Sequence, residues 1–355
     1  MLVTTFDQPT PSARGRAHGE QQREAIAALA QRRIEALATA TGHADRSRLA
    51  SIGSAYVGAL RDAAPELAQE VAGIAAGCGL PVAELMLIQA FDEIADRFTP
   101  ADNPSAGDEG GVTLYAWHRD RAYLGLALIV PTPLTPMVQL HHIRPRPGND
   151  ELVLLSRVGS LGVVGINRYG VAAATTRLST RRAGLGLAGP ALVRQVLSAA
   201  DTAAGRQRLW GHRLAGGGHF LIADGTELCG LEADSHEKVI TRTSPRALHL
   251  HTNHYFDPKL RAQERPHRSH ASFRRMEIAS TALVQNPPRG ATDVAEFLGS
   301  LGATTFDRAA GSGPHPPEPT TCIAVAMDLT EGRVFATQRA PGYHDSIEIP
   351  LSRWR

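Results

Sequence analysis

Gly111-Val112-Thr113-Leu114-Tyr115-Ala116-Trp117 is the stretch at which the character of the chain changes, and together with residues 123–130 it decides the fold. Both segments are rich in apolar, β-branched and aromatic residues, and the four residues between them, 118–121, are polar, which predicts a β-hairpin. Upstream, apolar residues recur near the 3.6-residue period of a helix at 19–39 and 51–76, and in a third segment that Pro81 begins. Helices therefore precede residue 111, and strands follow it.

The rest of the chain continues this segregation. Residues 137–143 with 151–156, 220–224 with 228–233, and 322–328 with 333–338 predict further hairpins, and 190–200, 271–284 and 293–301 predict helices. Segregated runs favour an α+β fold with layered sheets over a doubly wound sheet. Without a repeat or a long linker, we expect a helical region at 1–110 and a core at 111–355 that form one integrated unit.

Composition excludes several classes of function. A formal net charge of only +2 gives no field for nucleic acid. Of the 37 basic residues only Lys238 and Lys259 are lysines, and no phosphate-loop motif is present. The three cysteines, Cys78, Cys229 and Cys322, are far apart and indicate neither a disulfide framework nor a thiolate metal site. We expect no metal and no cofactor.

Neither the N-terminus nor the apolar runs point to a membrane. Residues 1–16 contain charged residues and prolines but no apolar signal region, and the longest apolar run, 124–130, stops at Pro131. We therefore expect a cytoplasmic protein with no membrane partner and no nucleic-acid partner. The sequence does not indicate an oligomeric state.

Five segments, in order, resemble one known family. They read Gly-Arg-Ala-His-Gly-Glu at 15–20, Glu-Val-Ala-Gly-Ile-Ala-Ala-Gly at 70–77, Gly-Ser-Leu-Gly-Val-Val-Gly-Ile-Asn-Arg-Tyr-Gly at 159–170, Ile-Ala-Asp-Gly at 222–225 followed by Gly-Leu-Glu at 230–232, and Thr-Asn-His-Tyr-Phe at 252–256. The set is similar to the penicillin acyltransferase-like branch of the N-terminal-nucleophile hydrolases, the family of isopenicillin-N acyltransferase. The resemblance covers residues 15 to 350. It implies a four-layer αββα sandwich with a helical N-terminal segment, and acyl or amide-bond chemistry of the kind used in secondary metabolism.

The resemblance breaks down at the nucleophile. Family members cut themselves at a Gly-Cys bond, and the freed α-amine of the cysteine then serves as its base. The corresponding stretch here is Glu109-Gly110-Gly111-Val112-Thr113, which aligns Val112 with the cysteine. Valine has no nucleophilic atom, so we expect no self-cleavage at this position. Thr113 is the alternative nucleophile, but neighbouring strand residues face opposite sides, so it requires a one-residue slip.

Other positions complete the expected site. The partner strand, 125–130, is wholly apolar where the family usually places polar site residues. Asn253 matches the oxyanion-binding position, where a side-chain amide contributes about 3 kcal/mol. The neighbouring His251 and His254 are candidate acid–base groups. Binding positions are expected at Val112, Tyr115, Leu126 and Arg177, the last as a carboxylate anchor.

These residues support two principal functions. The first is an acyltransferase- or amidohydrolase-like protein that acts on a small amino-acid- or peptide-derived substrate through Thr113 or the histidines. The second is a catalytically inactive relative that binds an acyl or peptidyl ligand or supports a partner enzyme. A third hypothesis is a hydrolase whose nucleophile is Cys78 or Cys322.

Overall fold

The computed structural model describes residues 1–42, 45–103, 110–147, 150–266, 270–304, 320–340 and 342–352. Helices occupy most of the chain before residue 100 and several segments after it. They are α1 (Pro11–Gln21), α2 (Arg23–Thr41), α3 (Arg46–Ala63), α4 (Pro65–Cys78), α5 (Val82–Gln89), α6 (Phe91–Phe98), α7 (Gly189–Val196), α8 (Thr202–Gly211), α9 (Pro258–Arg261), α10 (Ala271–Gln285) and α11 (Ala291–Thr304). A short 3-10 helix covers Thr132–Met137.

The strands form two sheets. They are β1 (Val3–Phe6), β2 (Gly110–His118), β3 (Arg121–Pro131), β4 (Val138–Ile143), β5 (Leu152–Arg157), β6 (Val164–Asn167), β7 (Ala172–Leu178), β8 (Gly217–Ala223), β9 (Leu228–Ala233), β10 (Lys238–Arg242), β11 (His249–His251), β12 (Thr320–Asp328), β13 (Arg333–Ala340) and β14 (Tyr343–Pro350). The eight-stranded sheet has the order β1-β4-β5-β6-β7-β8-β9-β10, and the six-stranded sheet has the order β11-β2-β3-β12-β13-β14.

The two sheets stack face to face between helices. Strands β2 and β3 contact β7 of the other sheet, while α11 packs on the outer face of β3, β12 and β13, and α7 and α8 pack against β7 and β8. Because side chains alternate along a strand, one set from β2 and β3 packs under α10 and α11, and the other set enters the core between the sheets. The predicted α+β class and αββα layering are confirmed.

The predicted hairpin at 118–121 is confirmed as the connection of β2 and β3. Its two turn residues, Arg119 and Asp120, have φ values of 49° and 61°. Positive φ at both central residues gives a two-residue turn whose twist matches that of the flanking strands. The turn fixes the register that pairs Gly111 with Leu128 and Thr113 with Leu126.

The first two family-like segments contact one another, because Gly15 and Gly19 of α1 face Gly73 and Gly77 of α4. A Cβ at any of these four positions would overlap backbone atoms of the opposite helix, so only glycine permits the approach. The ion pairs of Glu70 with Arg14 and Arg194 extend this contact to α7. Burial alone would raise the pKa of Glu70, but Arg194 and Arg14 hold it well below its usual range.

Several elements were not predicted from the sequence. Strand β1 lies within the predicted helical region and pairs in parallel with β4, so the N-terminal region contributes directly to the eight-stranded sheet. Helix α8 and the edge strands β10 and β14 were also not predicted. In the described ranges no single helix has the length and apolar character to cross a membrane; α4 and α5, bent by 115° at their junction, pass that test only as a pair.

Candidate functional site

A cavity lies where α2, α5, α6 and α7 meet the ends of strands from both sheets. Its apolar wall includes Leu126, Leu128 and Phe220, and its polar wall includes residues of α6 and β7. The space open to the centres of water molecules is about 80 Å³. Since one water requires roughly 10–15 Å³ on that measure, the cavity has room for a small organic group.

Gly111 lines this cavity, and Val112 does not. The Val112 side chain is fully buried under α10 and α11 on the opposite face of β2. A Cβ at position 111 would lie 2.8 Å from Thr176 Cγ2 and 3.6 Å from Asn253 Nδ2. This geometry corrects the expected alignment by one residue, because the strand turns residue 111 toward Asn253. Glycine, like valine, has no nucleophilic side-chain atom.

Asn253 follows β11 and lines the cavity as expected from the sequence. Its Oδ1 accepts hydrogen bonds from the Gly111 N–H and from Arg275 Nη2, both at 2.7 Å. Two donors on Oδ1 fix the orientation of the amide, whose Nδ2 donates to the Arg177 carbonyl oxygen at 3.0 Å. The Asn253 side chain is therefore held rigidly at the cavity wall.

Arg275, on α10, is a buried guanidinium that packs directly against Gly110. Among the described residues no carboxylate forms a salt bridge with it, and burial lowers its pKa to about 10. A buried cation is costly unless negative charge or strong acceptors lie near it. Here it makes a charge-assisted hydrogen bond to Asn253 and raises the positive potential beside residues 110 and 111.

Two acidic residues of α6, Asp92 and Glu93, also line the cavity. Arg177 Nη1 lies 3.4 Å from Asp92 Oδ1, and Arg177 Nη2 donates to Asp96 Oδ1 at 2.7 Å. Burial alone would lower the pKa of Arg177, but the neighbouring carboxylates raise it above its usual value. Arg177 thus lines the cavity as expected, but the carboxylates that it anchors belong to the protein itself.

Glu93, also on α6, is an acid of the cavity whose pKa lies well above its usual value. Its Oε1 accepts the N–H of Gly189, the first residue of α7, at 2.9 Å. Burial and the adjacent Asp92 raise the pKa of Glu93 to about 7, against the smaller opposing effects of Gly189 and Arg177. Glu93 therefore exchanges its proton near neutral pH, which is the property required of a general acid or base.

Thr113, the alternative nucleophile, lies between the sheets and not in the cavity wall. Its fully buried hydroxyl is 3.2 Å from His219 Nδ1, and His219 Nε2 is 3.0 Å from His249 Nε2. His251 stacks on His219 with ring centroids 3.8 Å apart, and its Nε2 is 2.6 Å from Glu232 Oε1. The register that pairs His251 with Thr113 produces this cluster.

The remaining predicted site residues also lie away from the cavity, with one exception. His254 is buried, with Nδ1 at 2.8 Å from Ser272 Oγ, and it stacks on Phe273. Tyr115 is fully buried and donates its hydroxyl to the Pro245 carbonyl oxygen at 2.8 Å. Tyr115 was expected to line the binding site, but the register of β2 places it two pairs beyond this cavity. The exception is Leu126, which lines it.

None of the three cysteines lines the cavity. Cys322 faces α11 and is 3.4 Å from the Leu298 carbonyl oxygen, while Cys78 ends α4. Burial raises the pKa of the Cys78 thiol, which opposes thiolate formation. The geometry therefore gives no support to a cysteine nucleophile. Among the described residues, no group of three histidine, cysteine, aspartate or glutamate side chains could hold a metal ion.

Three parts of the site were not found from the sequence. Glu93 and Arg275 stand in ordinary amphipathic helices, where a charged residue normally indicates a solvent-exposed face. Gly216 belongs to a glycine triplet whose sequence indicates only a turn, yet a Cβ there would lie 2.7 Å from Glu93 Cγ. The only available signal was the pair of adjacent acids, Asp92 and Glu93, in the first turn of their helix.

The chain is similar to one protein family and to several solved structures. Residues 138–300 match the family model described as acyl-coenzyme A:6-aminopenicillanic acid acyl-transferase. No curated protein matches the sequence. Similar solved structures include penicillin V acylase from Agrobacterium tumefaciens (TM-score 0.35, 10% identity, covering 68% of this chain and 86% of that one). They also include a mutant of conjugated bile acid hydrolase from Clostridium perfringens (TM-score 0.42, 11% identity, covering 67% and 92%).

The matched region contains most of the strands that build the eight-stranded sheet, together with Arg177, Asn253 and Arg275. It begins after residue 111, so the match does not include the position of the nucleophile. Over residues 138–300 the chain is similar to the acyl-coenzyme A:6-aminopenicillanic acid acyl-transferase family, which confirms the resemblance for the three motif segments that lie in this range.

Proposed function

We propose that the cavity binds the acyl or amide group of a small amino-acid- or peptide-derived molecule, and that the protein acts on that group without a nucleophile at residue 111. Asn253 carries the proposal. An amide nitrogen has two hydrogens, and one is donated to the Arg177 carbonyl oxygen. The second is available to a substrate carbonyl oxygen, where such a donor stabilises developing negative charge by about 3 kcal/mol.

The residues that line the cavity suit a ligand with an apolar acyl group. Leu126, Leu128 and Phe220 provide apolar surface, and Glu93 and Arg177 provide polar groups. Ligand sites commonly combine a mostly apolar lining with a few convergent polar groups. An amide that joins an apolar acyl group to a small polar amine matches both walls, and this general class is the proposed substrate.

The chemistry of residue 111 argues against self-cleavage. The self-cleaving mechanism requires a side-chain nucleophile at the cavity and a free α-amine as its base. At Gly111 there is no side chain, and its peptide N–H is a hydrogen-bond donor to Asn253. We therefore propose that this chain of 37.9 kDa is not cut at the peptide bond between residues 110 and 111.

Gly111 also favours a second candidate function, that of a ligand-binding relative without catalysis. In this reading the cavity and Asn253 still recognise the carbonyl oxygen of an acyl or peptidyl ligand. The bound molecule is held or presented to a partner enzyme, and it is not cleaved. The two candidates differ only in whether bond cleavage follows binding.

We also propose that the protein works in the cytoplasm. The thiols of Cys78 and Cys229 are buried and form no disulfide. Thiols outside disulfides are typical of proteins in a reducing compartment.

One experiment separates the two candidates. The purified protein is incubated with penicillin V, N-phenylacetylglycine and a glycine-conjugated bile acid, while its melting temperature and the release of primary amine are measured. A rise in melting temperature with amine release supports the enzyme, and a rise without release supports the binding protein. Leu126→Trp, which narrows the cavity, should abolish the rise. The matched change at the exposed Leu248 should not. No response to any of the compounds contradicts both candidates.

A further inference from the structure

We propose that Glu93 is the acid–base residue of a hydrolytic reaction in the cavity, with water as the nucleophile. The inference rests on the proposed function, since it takes an amide held at Asn253 as the substrate. It goes beyond that function because it assigns the chemistry to a residue of the N-terminal helical region, outside the part of the chain that matches the acyltransferase family.

The position of Glu93 suits this role. One carboxylate oxygen is fixed by the Gly189 N–H at 2.9 Å, at the start of α7. Within the described residues, no hydrogen bond involves the second oxygen, and the residue lines the cavity. Gly216 provides the room, because a side chain there would contact the Glu93 methylenes. The carboxylate is therefore anchored on one side and accessible to a bound molecule on the other.

The charges around Glu93 set its proton affinity. Asp92 of α6 opposes ionisation of Glu93, while Arg177 of β7 and the Gly189 N–H favour it, and burial is the largest effect. The Tyr56 hydroxyl of α3 donates to the Gly184 carbonyl oxygen and interacts electrostatically with Glu93. Arg33 of α2 and Arg157 of β5 lie around Asp92 on the cavity wall. The result is a pKa of about 7, so both protonation states are populated at neutral pH.

The other candidate bases are occupied elsewhere. His251 is hydrogen-bonded to Glu232 between the sheets, and His254 contacts Ser272; neither lines the cavity. Asp92 pairs with Arg177, which keeps it ionised and weakly basic. Among the acids of the cavity wall, Glu93 is thus the group whose proton affinity matches the chemistry.

The reaction balances with water alone. The Glu93 carboxylate removes a proton from water as the water oxygen forms a bond to the amide carbonyl carbon, and Asn253 Nδ2 donates to the developing oxyanion. The carbon–nitrogen bond then breaks while Glu93 returns the proton to the leaving nitrogen. The products are a carboxylic acid, which loses its proton to solvent, and an amine.

The test compares Glu93→Gln with wild type on the member of the three-compound panel that is cleaved fastest. Glutamine has the shape of glutamate and retains an acceptor for the Gly189 N–H, so the fold is preserved, which the melting temperature checks. We expect kcat to fall roughly 100-fold or more with KM changed less than about threefold, and the pH dependence near 7 to disappear. Glu93→Asp should keep part of the activity with a shifted pH profile. The exposed Glu66→Gln is the control.

The outcomes distinguish the two proposals. If the wild type cleaves a compound and Glu93→Gln retains its rate and pH profile, the role of Glu93 is refuted while the proposed function stands. If the wild type binds compounds but cleaves none, the hydrolytic role is refuted and the binding function remains. If compounds neither bind nor react, both proposals fail.

Discussion

Cysteine substitution at positions 111 and 112 tests which side chain faces the cavity. In Gly111→Cys the new thiol should project into the cavity beside Asn253, whereas in Val112→Cys it should lie under α10 and α11. The two variants differ by one residue along the same strand. Any difference in thiol reactivity between the two variants therefore shows which face of β2 is open to the cavity.

The structure gives the size of both perturbations. A Cβ at residue 111 lies 2.8 Å from Thr176 Cγ2, which predicts an overpacking cost of about 1–3 kcal/mol. Adding Thr176→Ser removes that methyl group and should recover most of the loss. Val112→Cys shortens a fully buried side chain and should cost about 1 kcal/mol. Both proteins should therefore remain folded.

Thiol labelling by a small alkylating agent provides the assay. The native thiols give a low background, since Cys78, Cys229 and Cys322 are 6%, 2% and 1% exposed. A buried thiol reacts only after local opening, and an opening free energy of about 4 kcal/mol slows labelling about 1000-fold. We expect Gly111→Cys with Thr176→Ser to react rapidly and Val112→Cys to react at the background rate.

Equal labelling rates for the two variants, or faster labelling at position 112, would refute the conclusion that residue 111 faces the cavity. Faster labelling at position 112 would instead support Val112 as the position that aligns with the family's cysteine. The same samples have a second use. If the intact mass of the Gly111→Cys protein shows cleavage of the peptide bond between residues 110 and 111, the fold retains the machinery for self-cleavage and lacks only the nucleophile.

Three further predictions concern stability. The folded state raises the pKa of Glu93 from 4.5 to about 7, so the protein loses stability as pH rises from 4.5 to 7. Glu93→Gln should therefore raise the free energy of unfolding at pH 8 by at most about 3 kcal/mol, measured with urea, and should not raise it at pH 4. Burial lowers the pKa of His249 to about 3, so the protein loses stability as pH falls below 6.5. His249→Gln should remove about 2 kcal/mol of the stability loss between pH 7 and pH 5 in urea unfolding. Gly73→Ala should destabilise the α1–α4 contact by about 3 kcal/mol, whereas Gly58→Ala, with no neighbour within 4 Å, should stabilise α3 by about 0.5–1 kcal/mol, as measured by thermal unfolding.

Local patterns were sufficient for much of the fold. The β2–β3 hairpin was predictable because a polar four-residue break separates two apolar segments, and the structure places its turn there. The helical character of 19–39, of 51–76 and of the segment from Pro81 follows from the period of their apolar residues. The structure divides the second of these into α3 and α4 and the third into α5 and α6, and α1 was not predicted. In contrast, β1 has only four residues and is stabilised by pairing with β4, a partner distant in sequence, so no local pattern identifies it.

The candidate site was predictable only in part. Of the site residues named from the sequence, Asn253, Arg177 and Leu126 line the cavity. The histidines were expected at the same site, but His251 occupies a separate buried cluster with Thr113. Glu93 and Arg275 were missed because their roles depend on burial, and a helix sequence does not reveal which charged side chains the rest of the chain will cover.

The sequence by itself determined the succession of helices and strands, the α+β class, and the absence of a nucleophile at residue 111 or 112, since neither glycine nor valine has a reactive side-chain atom. Only the tertiary structure decided which of those two residues faces the cavity. The alternation of a strand allows either face until the opposite sheet and α10 are packed against it. The same packing placed Glu93 beside the cavity and removed enough water from it to raise its pKa to about 7.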